Sequence, residues 1–90
     1  MTYAPNEDTL PREDERVTAL ALSWYFDYTL PDGSPAPDPG GFMARLLDAI
    51  AHADGDGRER FRLGWPLLVD WFEYAQGEAA TFIAWRNGRL

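Results

Sequence analysis

"RLGWPLL", Arg62–Leu68, is the stretch on which the fold turns. The residues on either side carry apolar side chains at helical spacing, yet a glycine and a proline stand two positions apart inside the run. Proline drives the residue before it out of helical backbone. It is tolerated in a helix's first turn, where its missing N–H has no intrahelical partner. Glycine supplies the left-handed backbone that ends many helices. Gly64-Trp65-Pro66 therefore reads as a stop followed by a start, with Trp65 plugging the corner. A short helix from about Arg58 to Leu63 precedes it. The helix after it, Pro66–Gln76, turns Leu67, Leu68, Trp71, Phe72 and Ala75 inward and Asp70, Glu73 and Gln76 to water, and Gly77 ends it.

The same reading extends in both directions. Phe42–Ala53 is the clearest helix, with a stripe of Phe42, Leu46, Ala49, Ile50 and Ala53, and with Arg45, Asp48 and His52 off the stripe. Asp54–Gly57, "DGDG", is expected to end it through a left-handed glycine. Pro31–Gly41 holds four prolines and three glycines, which exclude a helix or a central strand. Proline stiffens this loop into a spacer. A polyproline docking role is disfavoured, since the segment lacks a basic anchor and carries Asp32 and Asp38. Nearer the start, Thr9 is placed to cap a helix beginning around Leu10-Pro11, with Glu13, Asp14 and Glu15 in the dipole-favoured first turn. Val17, Leu20, Ala21, Trp24 and Tyr28 continue at helical spacing. However, Leu20, Leu22, Trp24, Phe26, Tyr28 and Leu30 alternate as in a strand, so 22–30 stays open between the two. Residues 79–86, with Phe82, Ile83 and Trp85, are open in the same way, and Asn87-Gly88 terminates either form. Residues 1–8 show no apolar period and are expected to fray. The expected architecture is a single all-α domain over 1–90, a compact bundle of four or five short helices.

Composition narrows the function classes. Four Trp, four Tyr and five Phe supply a core for a 90-residue chain, each burying about 150–250 Å². A surplus of them is suited to an interface. The net charge of −7 repels nucleic-acid phosphates and anionic membranes and favours a basic partner. All eight basic residues are Arg, a bias of high-GC coding. No Cys is present, which removes disulfides, thiolate metal sites and thiol nucleophiles and fits a reducing cytoplasm. Glu7 and Asp8, with no early basic residue, argue against a secretory signal. The longest charge-free apolar run, Val17–Phe26, is too short to span a bilayer.

The segment "GGFMARLLDAIAHADGDGRERFRLGWPLLVDWFEYAQG" resembles small uncharacterised acidic proteins of actinobacteriophages and related high-GC bacteria. Their pattern is a Phe-led Ala/Leu helix ending in Ala-Asp, a short Arg/Leu helix, then Gly-Phe-Pro and a second Leu/Val helix. Here it falls on Phe42, Ala53-Asp54, Arg62-Leu63 and Gly64-Trp65-Pro66. Trp65 stands where the pattern has Phe, and Gly57 where it has a polar residue. The resemblance covers under half of the chain. It implies a phage or prophage accessory protein in a bacterial cytoplasm and carries no mechanism.

Chemistry-bearing motifs fall short on inspection. A calcium loop started at Asp54 puts Arg58 at position 5, Glu59 at position 6 and Trp65 at position 12, and fails after two ligands. His52, the single histidine, pairs best with Asp48 one turn earlier as an exposed ion pair. Ser23 and Ser34 sit in no nucleophile turn, and no phosphate-binding glycine loop occurs. A recognition helix over Arg58, Arg60 and Arg62 would break at Gly64, and salt bridges to Asp54, Asp56 or Glu59 are the better use of those arginines. The expectation is a non-enzyme without cofactor or metal, binding a protein partner or itself and neither nucleic acid nor membrane. Trp65, Trp85, Arg58 and Arg62 are the residues suited to meet the partner. A homo-oligomeric structural protein and an acidic DNA mimic are the alternatives.

Overall fold

The computed structural model describes residues 14–90, which form five helices and, among the described residues, no strand. They are α1 Glu15–Tyr25, α2 Gly41–His52, α3 Gly55–Gly64, α4 Pro66–Gly77 and α5 Ala79–Asn87. The all-α bundle expected from the sequence is the fold observed. None of the described helices is long and apolar enough to cross a membrane. The core gathers Ala21 and Leu22 of α1, Leu47 and Ile50 of α2, Leu68, Val69, Phe72 and Ala75 of α4 and Phe82 of α5. α4 is thus the central element, while α3 buries no residue fully and brackets the outside, with Phe61 packed inward.

α1 starts later than its sequence suggests. Asp14 is extended (φ −87°, ψ 125°), and its carboxylate accepts the Val17 N–H at 2.9 Å, the geometry of an N-cap. This helix therefore does not begin around Leu10-Pro11, and the cap assigned to Thr9 lies outside the described residues. Val17 is half exposed; Thr18, Ala19, Ala21, Leu22 and Ser23 are buried instead. Helix holds over the ambiguous stretch only as far as Tyr25. There the Tyr28 N–H donates to the Ser23 carbonyl at 2.8 Å and the Asp27 N–H to the Trp24 carbonyl at 3.3 Å. This is a Schellman closure. Its left-handed residue is Asp27 (φ 60°) rather than glycine, so the usual sequence marker is missing.

Asx turns order the proline-rich loop. The Asp32 carboxylate accepts the Ser34 N–H at 2.9 Å and its hydroxyl at 2.6 Å, which lowers its pKa. Asp38 accepts the Gly40 N–H at 2.8 Å, and Gly40 (φ 96°) opens α2. The buried stripe of α2 is Leu47 and Ile50 with Met43 and Leu46 packed beside them, one position on from the predicted stripe. Phe42 (68% exposed) and Ala49 face outward. Apolar residues on adjoining faces of this helix satisfy both registers, and contact with α1 selects one.

"DGDG" starts α3 rather than ending α2. Ala53 is extended, and the Asp54 carboxylate accepts the Gly57 N–H at 2.8 Å, so Gly55 and Gly57 lie in the first turn of α3. The corner at Trp65 forms as expected but by another means. Gly64 is helical, and Trp65 (φ −137°, ψ 58°) carries the whole turn as C-cap of α3 and N-cap of α4, with Pro66 at the first position. Glu78 (φ −139°, ψ 68°) repeats this one-residue corner between α4 and α5 without a proline. The open stretch 79–86 lies in helix.

Gly64 has no positive φ and no atom within 4 Å of where a β-carbon would stand. Gly64→Ala is therefore expected to raise stability by about 0.4–1 kcal/mol, by restricting the unfolded chain. Urea unfolding checks this; a comparable loss would restore the left-handed stop read from the sequence.

Candidate functional site

Trp71, Tyr74 and Glu78 lie at i, i+3 and i+7, on one line of α4 that runs into its terminal corner. With Arg62 of α3, Asp70 and Glu73 they line an open groove of about 510 Å³. Its aromatic wall is held firmly from behind. The Trp71 ring stacks on Trp85 of α5 at 4.2 Å with planes 14° apart, and lies 4.9 Å from Tyr74. Phe82 backs Trp85 at 6.0 Å, and the Arg89 guanidinium covers the Trp85 ring at 4.8 Å while donating to Glu15 at 2.5 Å. Tyr74 remains 41% exposed on the open side.

The two ends of the groove differ in how their carboxylates are paired. At one end, Arg62 donates to Glu73 at 3.0 Å and pairs with Glu59 at 3.3 Å and with Asp70. Hydrogen bonding to Glu73 leads the causes that raise its pKa. At the other end, Glu78 makes no ion pair with any described residue, although its backbone N–H donates to the Tyr74 carbonyl at 2.6 Å.

Three of the four predicted contact residues converge here. Arg62 lines the groove, and Trp85 forms the layer behind Trp71. Arg58, one turn before Arg62, reaches the other Glu73 oxygen at 3.6 Å, donates from Nε to the Ile50 carbonyl at 3.2 Å and lies 5.3 Å from the Phe72 ring centroid. Trp65 stands apart at the α3–α4 corner, 6.1 Å from Phe42. Of the acidic partners predicted for the arginines, Glu59 serves Arg62, but Asp54 caps α3. Asp70 and Glu73 of α4 supply the remaining contacts, because α3 packs along α4. His52 Nδ1 sits 3.5 Å from the Asp48 carboxylate, both exposed, and 2.8 Å from the Asp48 carbonyl. Among the described residues no three His, Cys, Asp or Glu side chains group to hold a metal ion.

The helical pattern turns Trp71 toward the core and does not single out Trp71, Tyr74 and Glu78 as a set. Their common helical line was the available signal. Arg86 was also passed over. It is 3% exposed, and Nη1 donates to the Thr29 carbonyl at 2.8 Å and more weakly to Ser23 Oγ at 3.4 Å. Nε and Nη2 donate to Asn87 Oδ1 at 3.1 and 3.0 Å. No described carboxylate pairs with it, and burial lowers its pKa, although a guanidinium stays charged. Its donors face neutral acceptors of the chain itself, so Arg86 ties α5 to α1 and the loop after it.

Compared with known protein families, with curated proteins and with solved structures, the chain matches none.

Arg86→Ala leaves the Thr29 carbonyl without its donor and is expected to cost roughly 1–3 kcal/mol in urea unfolding. Arg86→Met, which keeps the apolar stem, should lose less. Wild-type stability in Arg86→Ala would remove the clamp from this description.

Proposed function

We propose that this chain is a small acidic protein-binding accessory factor that meets its partner through the groove between α3 and α4. In the setting implied by its resemblance, it is phage or prophage encoded and acts on a host protein in the bacterial cytoplasm. The observation that carries this reading is an aromatic wall, anchored from behind and open in front, with carboxylates along its rim. Exposed aromatics of this kind supply the anchoring contacts of protein interfaces. A charge of −7 speeds encounter with a basic surface. A homo-oligomeric reading draws on a different place, the exposed side chains of Phe42 (68%) and Leu63 (87%). Acidic DNA mimicry gains little support, since Asp14 and Asp54 cap helices and Asp70 and Glu73 face Arg62.

A pull-down of tagged protein from a high-GC bacterial lysate, run beside Tyr74→Ala and a charge-matched control, tests the proposal. One stoichiometric host protein is expected with the wild type and not with Tyr74→Ala. Equal recovery by the variant would contradict the assignment to this face. Recovery of the protein alone, with a dimer mass by light scattering, would favour self-assembly.

A further inference from the structure

The chain twice builds the same three-part unit of arginine, aromatic ring and carboxylate. Arg89 lies over Trp85 and pairs with Glu15; Arg58 lies over Phe72 and pairs with Glu73. In both, a guanidinium lies over a ring while its charge meets a carboxylate, a combination that suits arginine. The groove presents a third ring-and-carboxylate set, Trp71 and Tyr74 with Glu78, and no described arginine joins it at Glu78. The groove's own cation, Arg62, is held at the far end by Glu59, Asp70 and Glu73.

We infer that the groove takes an arginine side chain from a basic segment of the protein partner, seated against Trp71 and Tyr74 with its guanidinium on Glu78. This rests on the protein-binding reading of the same face and adds the chemistry of the occupant. Arginine is favoured over lysine because an ammonium is a point charge that cannot stack as a plane. Arg62 opposes entry by like charge from the other end, so the two ends of the groove have opposite effects on affinity.

The test is a backbone and indole NMR titration of the full chain with an acetylated, amidated Gly-Gly-Arg-Gly-Gly peptide and its lysine and citrulline counterparts. Saturable shifts centred on Trp71, Tyr74 and Glu78 are expected, strongest for arginine, weaker for lysine and absent for citrulline. Glu78→Gln should weaken the arginine peptide roughly two- to fivefold, and Arg62→Gln should strengthen it by a similar factor. Opposite signs from the two positions separate recognition from a general loss of structure. Equal shifts with lysine or citrulline, shifts centred on Phe42 and Leu63, or affinities unchanged in both variants would overturn the inference. If a partner is captured through Tyr74 while the arginine peptide leaves the groove unshifted, the protein-binding reading stands and the guanidinium inference falls.

Discussion

Trp65 cannot be helical, because the ring of Pro66 crowds the helical backbone of the residue before it. That exclusion forces the chain to turn within one residue. It sets α3 back against α4 instead of letting the two run on as one rod. Everything at the Arg62 end of the groove follows from this. Only with α3 beside α4 do Arg58 and Arg62 reach opposite oxygens of Glu73. Glu78 adopts nearly the same backbone angles at the next corner and brings α5 back so that Trp85 lies on Trp71. Two single-residue corners thus position the two ends of the site.

The remaining constraints lock α5 and the end of α1 around α4. The Tyr28 hydroxyl donates to the Ala75 carbonyl at 2.7 Å, and Arg86 reaches Thr29 and Ser23 from the other side. Between these ties runs a continuous series of rings. Phe72 meets Phe26 edge-on at 5.0 Å, Phe26 stacks with Tyr28, Tyr28 meets Phe82, and Phe82 leads through Trp85 and Trp71 to Tyr74. The surplus of aromatics is therefore one layer that begins in the core and surfaces in the groove. The rings exposed in the groove thus have a packed backing, which under the proposed function lowers the entropy cost of presenting them to a partner.

What the sequence made legible is what proline and periodicity govern directly: an all-α bundle of four or five short helices, the stiff loop after α1, and the corner at Trp65. The misplacements have local causes. Asp27 does a glycine's work at the end of α1, so alternating aromatics beyond it imitated a strand. Asp54 caps α3 by reaching forward to Gly57, so "DGDG" looked like a stop when it is a start. Adjoining apolar faces let α2 be read one position out of register. The groove was harder to see, because a half-buried Trp71 and a core tryptophan leave the same trace in a helical pattern. Arg86, a lone cation in an apolar run, shows its purpose only once α5 has folded onto α1.

The proposed partner surface is the groove of Arg62, Trp71, Tyr74 and Glu78, and not the Phe42–Trp65 contact at the α3–α4 corner. Hydrogen–deuterium exchange on the protein with and without its captured partner tests this most directly. The account predicts slowed exchange across residues 70–78 and around Arg62. Protection centred instead on 42–46, with 70–78 unchanged, would contradict it.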